Sequence, residues 1–207
     1  MSFDQNVFIN CPFDKEYAPI LQAVLFATVL LGFKPRLATE RHDSGETRLD
    51  KIRELIEESK YSIHDLSRCQ ASQKGEFFRL NMPFELGMDW GCRSYFGDRR
   101  EEKRFLILEE KPFRFQAAIS DLSGCDIETH GGKYDRAIKK VRYWLRQQTG
   151  CAAPGPSRLL TDYATFSEWE YETKMKQGYS EEDIKEYPTF ERLEAMQEWV
   201  DAGRPAG

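Results

Sequence analysis

Through the first 150 residues, short β-prone apolar runs alternate with segments of helical period. Residues 6–10 read as a strand that ends in the turn Cys11-Pro12-Phe13-Asp14. Residues 15–31 read as a helix that is apolar nearly all round, which predicts deep packing on every side. Gly32 stands where a helix-ending glycine belongs. Residues 33–39 predict a second strand and residues 41–46 a polar loop. Thr47-Arg48-Leu49-Asp50 resembles a capping box with Asp for the usual Glu, and opens a helix to about residue 59. Residues 61–66 predict a third strand and 67–79 a polar loop. A helix over 81–95 follows, with Pro83 tolerable in its first turn. Residues 103–109 predict a fourth strand, 125–128 a short fifth, and 134–148 an amphipathic helix. This alternation predicts an α/β domain over residues 1–150, its parallel sheet of four to five strands covered by helices on both faces.

Beyond it the character changes. Pro154-Gly155-Pro156 marks a linker, and residues 151–207 read as linker plus a helical extension. Two helices are expected there, at about 158–177 and 189–201, with Pro188 between them and aromatics throughout. Residues 157–207 carry twelve acids and six bases, so the net charge of −5 resides in the extension. An acidic chain of this kind disfavours a generic nucleic-acid binder. No apolar run has the length of a membrane span, and the first residues lack a signal-peptide pattern. Five scattered cysteines without a C-x-x-C read as reduced thiols, and a cytoplasmic location is expected. His42, His64 and His130 show no metal-ligand spacing, so no metal site is expected.

In an open parallel sheet, ligands bind at the carboxyl ends of the strands. Residues 10–14, 40–48 and 65–68 and the start of the 81–95 helix fall there and should converge on one cleft. Glu85 is the candidate catalytic residue. A place in a helix's opening turn would favour its ionised form, and such a carboxylate can stabilise an oxocarbenium-like centre or attack it. Asp65 and Ser67 suit a ribose or base contact, or a plain turn. His64, sent to the opposite face by alternation, reads as a hydrogen-bonded core histidine. Arg36, Arg41 and Arg48 suit phosphate, or stand as solvated charge. Asn10, Pro12, Phe13 and Asp14 open onto a helix start, a natural anion or ribose site, and equally ordinary turn chemistry. No dinucleotide-binding or Walker glycine motif and no G-x-S-x-G is present.

Val7-Phe8-Ile9-Asn10 with Asp14, Tyr61-Ser62-Ile63-His64-Asp65-Leu66-Ser67 and Phe84-Glu85-Leu86-Gly87, taken in order, resemble Toll/interleukin-1 receptor (TIR) domains and the nucleoside 2-deoxyribosyltransferases. The likeness covers residues 6–148 and implies a flavodoxin-like fold. Phe84-Glu85-Leu86-Gly87 resembles the segment that carries the deoxyribosyltransferase nucleophile, and it occupies the place of the catalytic glutamate of NAD-cleaving TIR domains. The resemblance thus implies cleavage of a ribosyl N-glycosidic bond, foremost in NAD as substrate rather than cofactor. In an enzyme of that kind Asn10, Pro12, Phe13, Asp14, Asp65, Ser67, Asn81 and one or more of Arg36, Arg41 and Arg48 are the expected substrate-binding residues. Bacterial relatives of this kind commonly act in antiphage defence. Asn81-Met82-Pro83 stands where TIR domains carry a tryptophan–cysteine pair, which moves weight toward the deoxyribosyltransferase side. A nucleoside N-glycosidase, or a non-catalytic nucleotide-sensing or assembly module, remains open, as does a second copy or protein partner docking through the extension.

Overall fold

The computed structural model describes residues 2–41, 43–68, 70, 71, 74, 75 and 79–206, so His42, Cys69 and part of the loop after the third strand lie outside the described residues. Five strands form one all-parallel sheet: β1 (Asn6–Asn10), β2 (Lys34–Arg36), β3 (Tyr61–Asp65), β4 (Arg104–Glu109) and β5 (Glu128–Thr129), in the order β2-β1-β3-β4-β5. That is the doubly wound, flavodoxin-like order, and the strand order reverses between β1 and β3. Pro35 is tolerated because β2 is an edge strand.

Helices cover both faces. Val7, Ile9, Ile63, Leu106 and Leu108 point to one side, where α1 (Ala18–Leu30) and α4 (Tyr134–Thr149) pack. Phe8 points to the other and meets α2 (Arg48–Glu57), while Leu66 and Ile107 meet α3 (Asn81–Tyr95). The period of two along each strand sorts the residues between these layers. Thr47 caps α2 by accepting from the Asp50 N–H. Asp50 is one methylene shorter than the glutamate of a full capping box, and its carboxylate takes the Thr47 hydroxyl at 2.5 Å.

The extension forms α5 (Pro156–Lys176), α6 (Glu181–Lys185) and α7 (Thr189–Asp201). α6 is an element that the aromatic pattern does not announce; Ser180 and Asp183 close a complete capping box at its start. α5 and α7 pack on the outer side of α1, where Phe26 stacks on Phe166 at 5.4 Å and meets Trp199 at 5.7 Å. All three rings are buried, and they join the sheet's own apolar core in one cluster. This explains a helix apolar all round: α1 has protein on every side. Among the described residues, no helix is long and apolar enough to cross a membrane.

Candidate active site

Two buried polar networks flank the sheet, one on each face; the first runs from the carboxyl end of β1 to the amino end of β4. On the α3 side, the Asn10 side-chain amide donates to His64 Nδ1 at 3.0 Å and to the Met82 carbonyl at 2.8 Å. His64 accepts at Nδ1, so its proton sits on Nε2 and is donated to Asp89 Oδ2 at 3.0 Å. Lys103 Nζ pairs with Asp89 Oδ1 at 3.0 Å and donates to the Ile56 and Ser59 carbonyls. His64, Asp89 and Lys103 are all fully buried. Burial would raise Asp89, but the His64 bond and the Lys103 charge hold its carboxyl below the usual range. His64 is therefore the core histidine that alternation predicts. Asn10 is spent on tying β1 to the first turn of α3.

On the α1 side, Asp65 accepts from the Tyr17 hydroxyl at 2.7 Å and from the Ser67 N–H at 2.9 Å. Gly131 and Gly132, with φ of +61° and +69°, turn the chain so that the Gly132 N–H reaches His130 Nδ1 at 3.0 Å. That bond leaves the His130 proton on Nε2, which lies 3.0 Å from Asp65 Oδ2 and 3.0 Å from Ser67 Oγ. Asp and Ser thus share one ring nitrogen. A relay triad instead places them on opposite nitrogens, with the one facing Ser free to take its proton. Burial pushes Asp65 up, and the His130, Ser67 and Tyr17 bonds outweigh it, holding the carboxyl below the usual range. Burial drives the Tyr17 hydroxyl and the nearby Cys11 thiol well above their ordinary values.

Glu85 differs from all of these. It is the fifth residue of α3, beyond the opening turn where the sequence places it, so the helix's free N–H groups do not serve it. Its side chain is 8% exposed, and Arg48 Nη2, 3.7 Å away, is its ion-pair partner. Among the described residues none donates it a hydrogen bond. Burial therefore wins over the Arg48 charge and pushes its pKa up to about 7. This corrects the expectation that helix position favours the carboxylate: desolvation decides instead.

The three arginines separate. Arg36 forms a fork with Glu40 and reaches Glu58 at 2.7 Å. Arg41 pairs with Glu46 and Glu54. Both guanidiniums are committed within the protein, whereas Arg48, first residue of α2, faces Glu85. Asp14 receives Arg68 in a fork at 2.7 and 3.1 Å, and Arg79 at 3.3 Å; the Arg68 bond is the main reason its carboxyl sits low. Pro12 is buried, while Phe13 and Asn81 are exposed. A polar cavity of about 520 Å³ lies at this edge, reached by Asp14, Ser67, Arg68, Arg79, Glu110 and Arg114. Of the predicted site residues, Asp14 and Ser67 meet there. Glu85 and Arg48 meet each other.

No family model, curated protein or solved structure matches the chain. Tyr17, His130, Asp89 and Lys103 are what sequence reasoning missed, as is the buried carboxylate of Glu109 at the end of β4, which pairs with Arg114. A signal did exist for His130, which precedes two glycines at the end of a strand. Among the described residues, no three His, Cys, Asp or Glu side chains converge as metal ligands do.

Proposed function

We propose that this chain hydrolyses the N-ribosyl bond of NAD, with Glu85 as the carboxylate facing the anomeric carbon. The observation that carries this reading is the state of Glu85: a buried carboxyl with a pKa of about 7, opposed by Arg48 alone. A carboxylate short of hydrogen bonds and water gains most from a cation that forms in front of it. Cleavage of the ribosyl–nicotinamide bond forms such a cation. The bonding pair leaves with the pyridinium nitrogen, which becomes neutral, and positive charge develops on the ribose C1 and ring oxygen. Water then adds to C1 and releases a proton, giving nicotinamide and ADP-ribose.

The state of the other candidate acids favours NAD over a nucleoside. A neutral base needs a proton to leave, and nicotinamide does not. Asp65 and Asp14 are both held below the usual carboxylate range, so neither carries a proton at neutral pH. Glu85 alone, among the carboxyls considered, is half-protonated there, and it cannot be both the acid and the counter-charge.

The test is nicotinamide release from NAD by concentrated protein, wild type against Glu85→Gln. The amide keeps the shape and removes the charge. We expect a loss of at least ~100-fold, the scale of one deleted transition-state contact. Equal release by both proteins would remove Glu85 from the reaction. Release from nucleosides but not from NAD would change the substrate.

A further inference from the structure

A second cavity, of about 460 Å³, opens beside the start of α3, and Glu85 does not line it. Its walls are apolar, with Leu66, Met82, Pro83, Phe84, Phe115 and Ile119 among them. Leu80 and Phe84, both on its rim, are 65% and 59% exposed, an unfavourable arrangement for large apolar side chains. The polar residues that line it, among those described, are two arginines, Arg68 and Arg79, and no carboxylate does. Both arginines meet the carboxylate of Asp14 from the polar cavity next door, and Arg68 also reaches Glu16 at 3.3 Å. Arg79 makes the longer contact, 3.3 Å, and is half-exposed, so it can turn toward a ligand at little cost.

The volume lies within the roughly 300–1,000 Å³ range of small-molecule sites, and an apolar body with a few placed polar groups is their usual composition. We infer that this pocket binds an amphipathic anion: an acyl or aryl body seated on Phe115 and Met82, with a carboxylate or phosphate head at Arg79 and Arg68. Guanidinium groups take either head by paired hydrogen bonds. The inference is independent of the role given to Glu85, since it rests on a different set of side chains.

The experiment is calorimetric titration of the full chain with decanoate, decyl phosphate and decanol, each below its aggregation range. Arg79→Ala and Ala118→Trp are titrated alongside. Ala118 is an exposed lining residue, so a tryptophan there fills the pocket without entering the core. Circular dichroism verifies the fold of both variants. We expect saturable binding of at least one anion, tenfold or more tighter than decanol. Arg79→Ala should erase most of that preference, and Ala118→Trp should abolish binding of both heads. Tighter decyl phosphate would identify a phosphate-bearing ligand, and tighter decanoate an acyl carboxylate. Decanol binding as well as both anions, no saturable binding, or undiminished binding by folded Ala118→Trp would each overturn the inference.

Discussion

At the scale of single residues, three buried acids behave in opposite ways, and their partners explain why. Asp89 has His64 and Lys103, Asp65 has Tyr17, Ser67 and His130, and Glu85 has one cation at 3.7 Å. The first two remain charged, and the third titrates near neutrality. The proposed reaction requires the carboxylate, so kcat/KM for NAD should rise tenfold per pH unit up to about pH 7 and level off above it. Arg48 is the group that lowers Glu85, so Arg48→Gln should move that limb to higher pH. A limb that stays in place would show that a different group titrates. Lys103→Met makes a contrasting case. It leaves Asp89 buried beside no cation and should cost about 3–5 kcal/mol in urea unfolding. Adding Asp89→Asn should recover part of that loss, because the pair acts as a unit.

At the scale of elements, the extension and α1 form one apolar body. Trp199 is buried against Phe26 and Phe166, so Trp199→Ala should cost about 3–5 kcal/mol in the unfolding of the whole chain. Removal of residues 156–207 would uncover Phe26 and the outer side of α1, and the remainder should aggregate or unfold at lower denaturant. A truncated chain as stable as the full one would refute that coupling. These elements were largely legible in the sequence. Alternation sent His64 to the face opposite Asp65, Pro83 marked the first turn of α3, and the all-round apolar pattern of α1 announced its burial. The partner that buries it was harder to read. Phe166 and Trp199 lie more than 130 residues away, and their spacing suits a docking surface as well as a core.

At the scale of the whole molecule, the topology was legible in the sequence, and the electrostatics at the strand ends was not; the residues expected in one cleft separate, Asp14 and Ser67 at one cavity and Glu85 with Arg48 apart from it. The strand ends come together as the topology requires, yet Asp65 meets Tyr17 and His130 across 48 and 65 residues, through contacts that no local pattern encodes. The pKa of Glu85 likewise follows from burial, a tertiary property. These groups together give the molecule a stability profile that can be measured. Asp65 and Asp89 have folded pKa values below the ordinary 3.8, so their contribution is present above that pH and is lost as pH falls through the folded values. Glu85 has the opposite sign. Its pKa rises from 4.5 to about 7, so its contribution is complete below pH 4.5 and is lost as pH climbs through 7. That loss is on the order of 3 kcal/mol at most, from about 1.4 kcal/mol per pKa unit. Glu170, raised by burial against the opposing Arg192 charge, acts in the same direction. Stability should therefore be greatest on the acid side of neutrality and decline toward pH 8. Glu85→Gln removes the main source of that decline. In urea unfolding it should match the wild type near pH 4.5 and exceed it at pH 8, while nicotinamide release is lost. A variant less stable than wild type at pH 8 would mean that the Glu85 charge is compensated in the fold, and the case for an unsatisfied carboxylate awaiting a cation would fail with it.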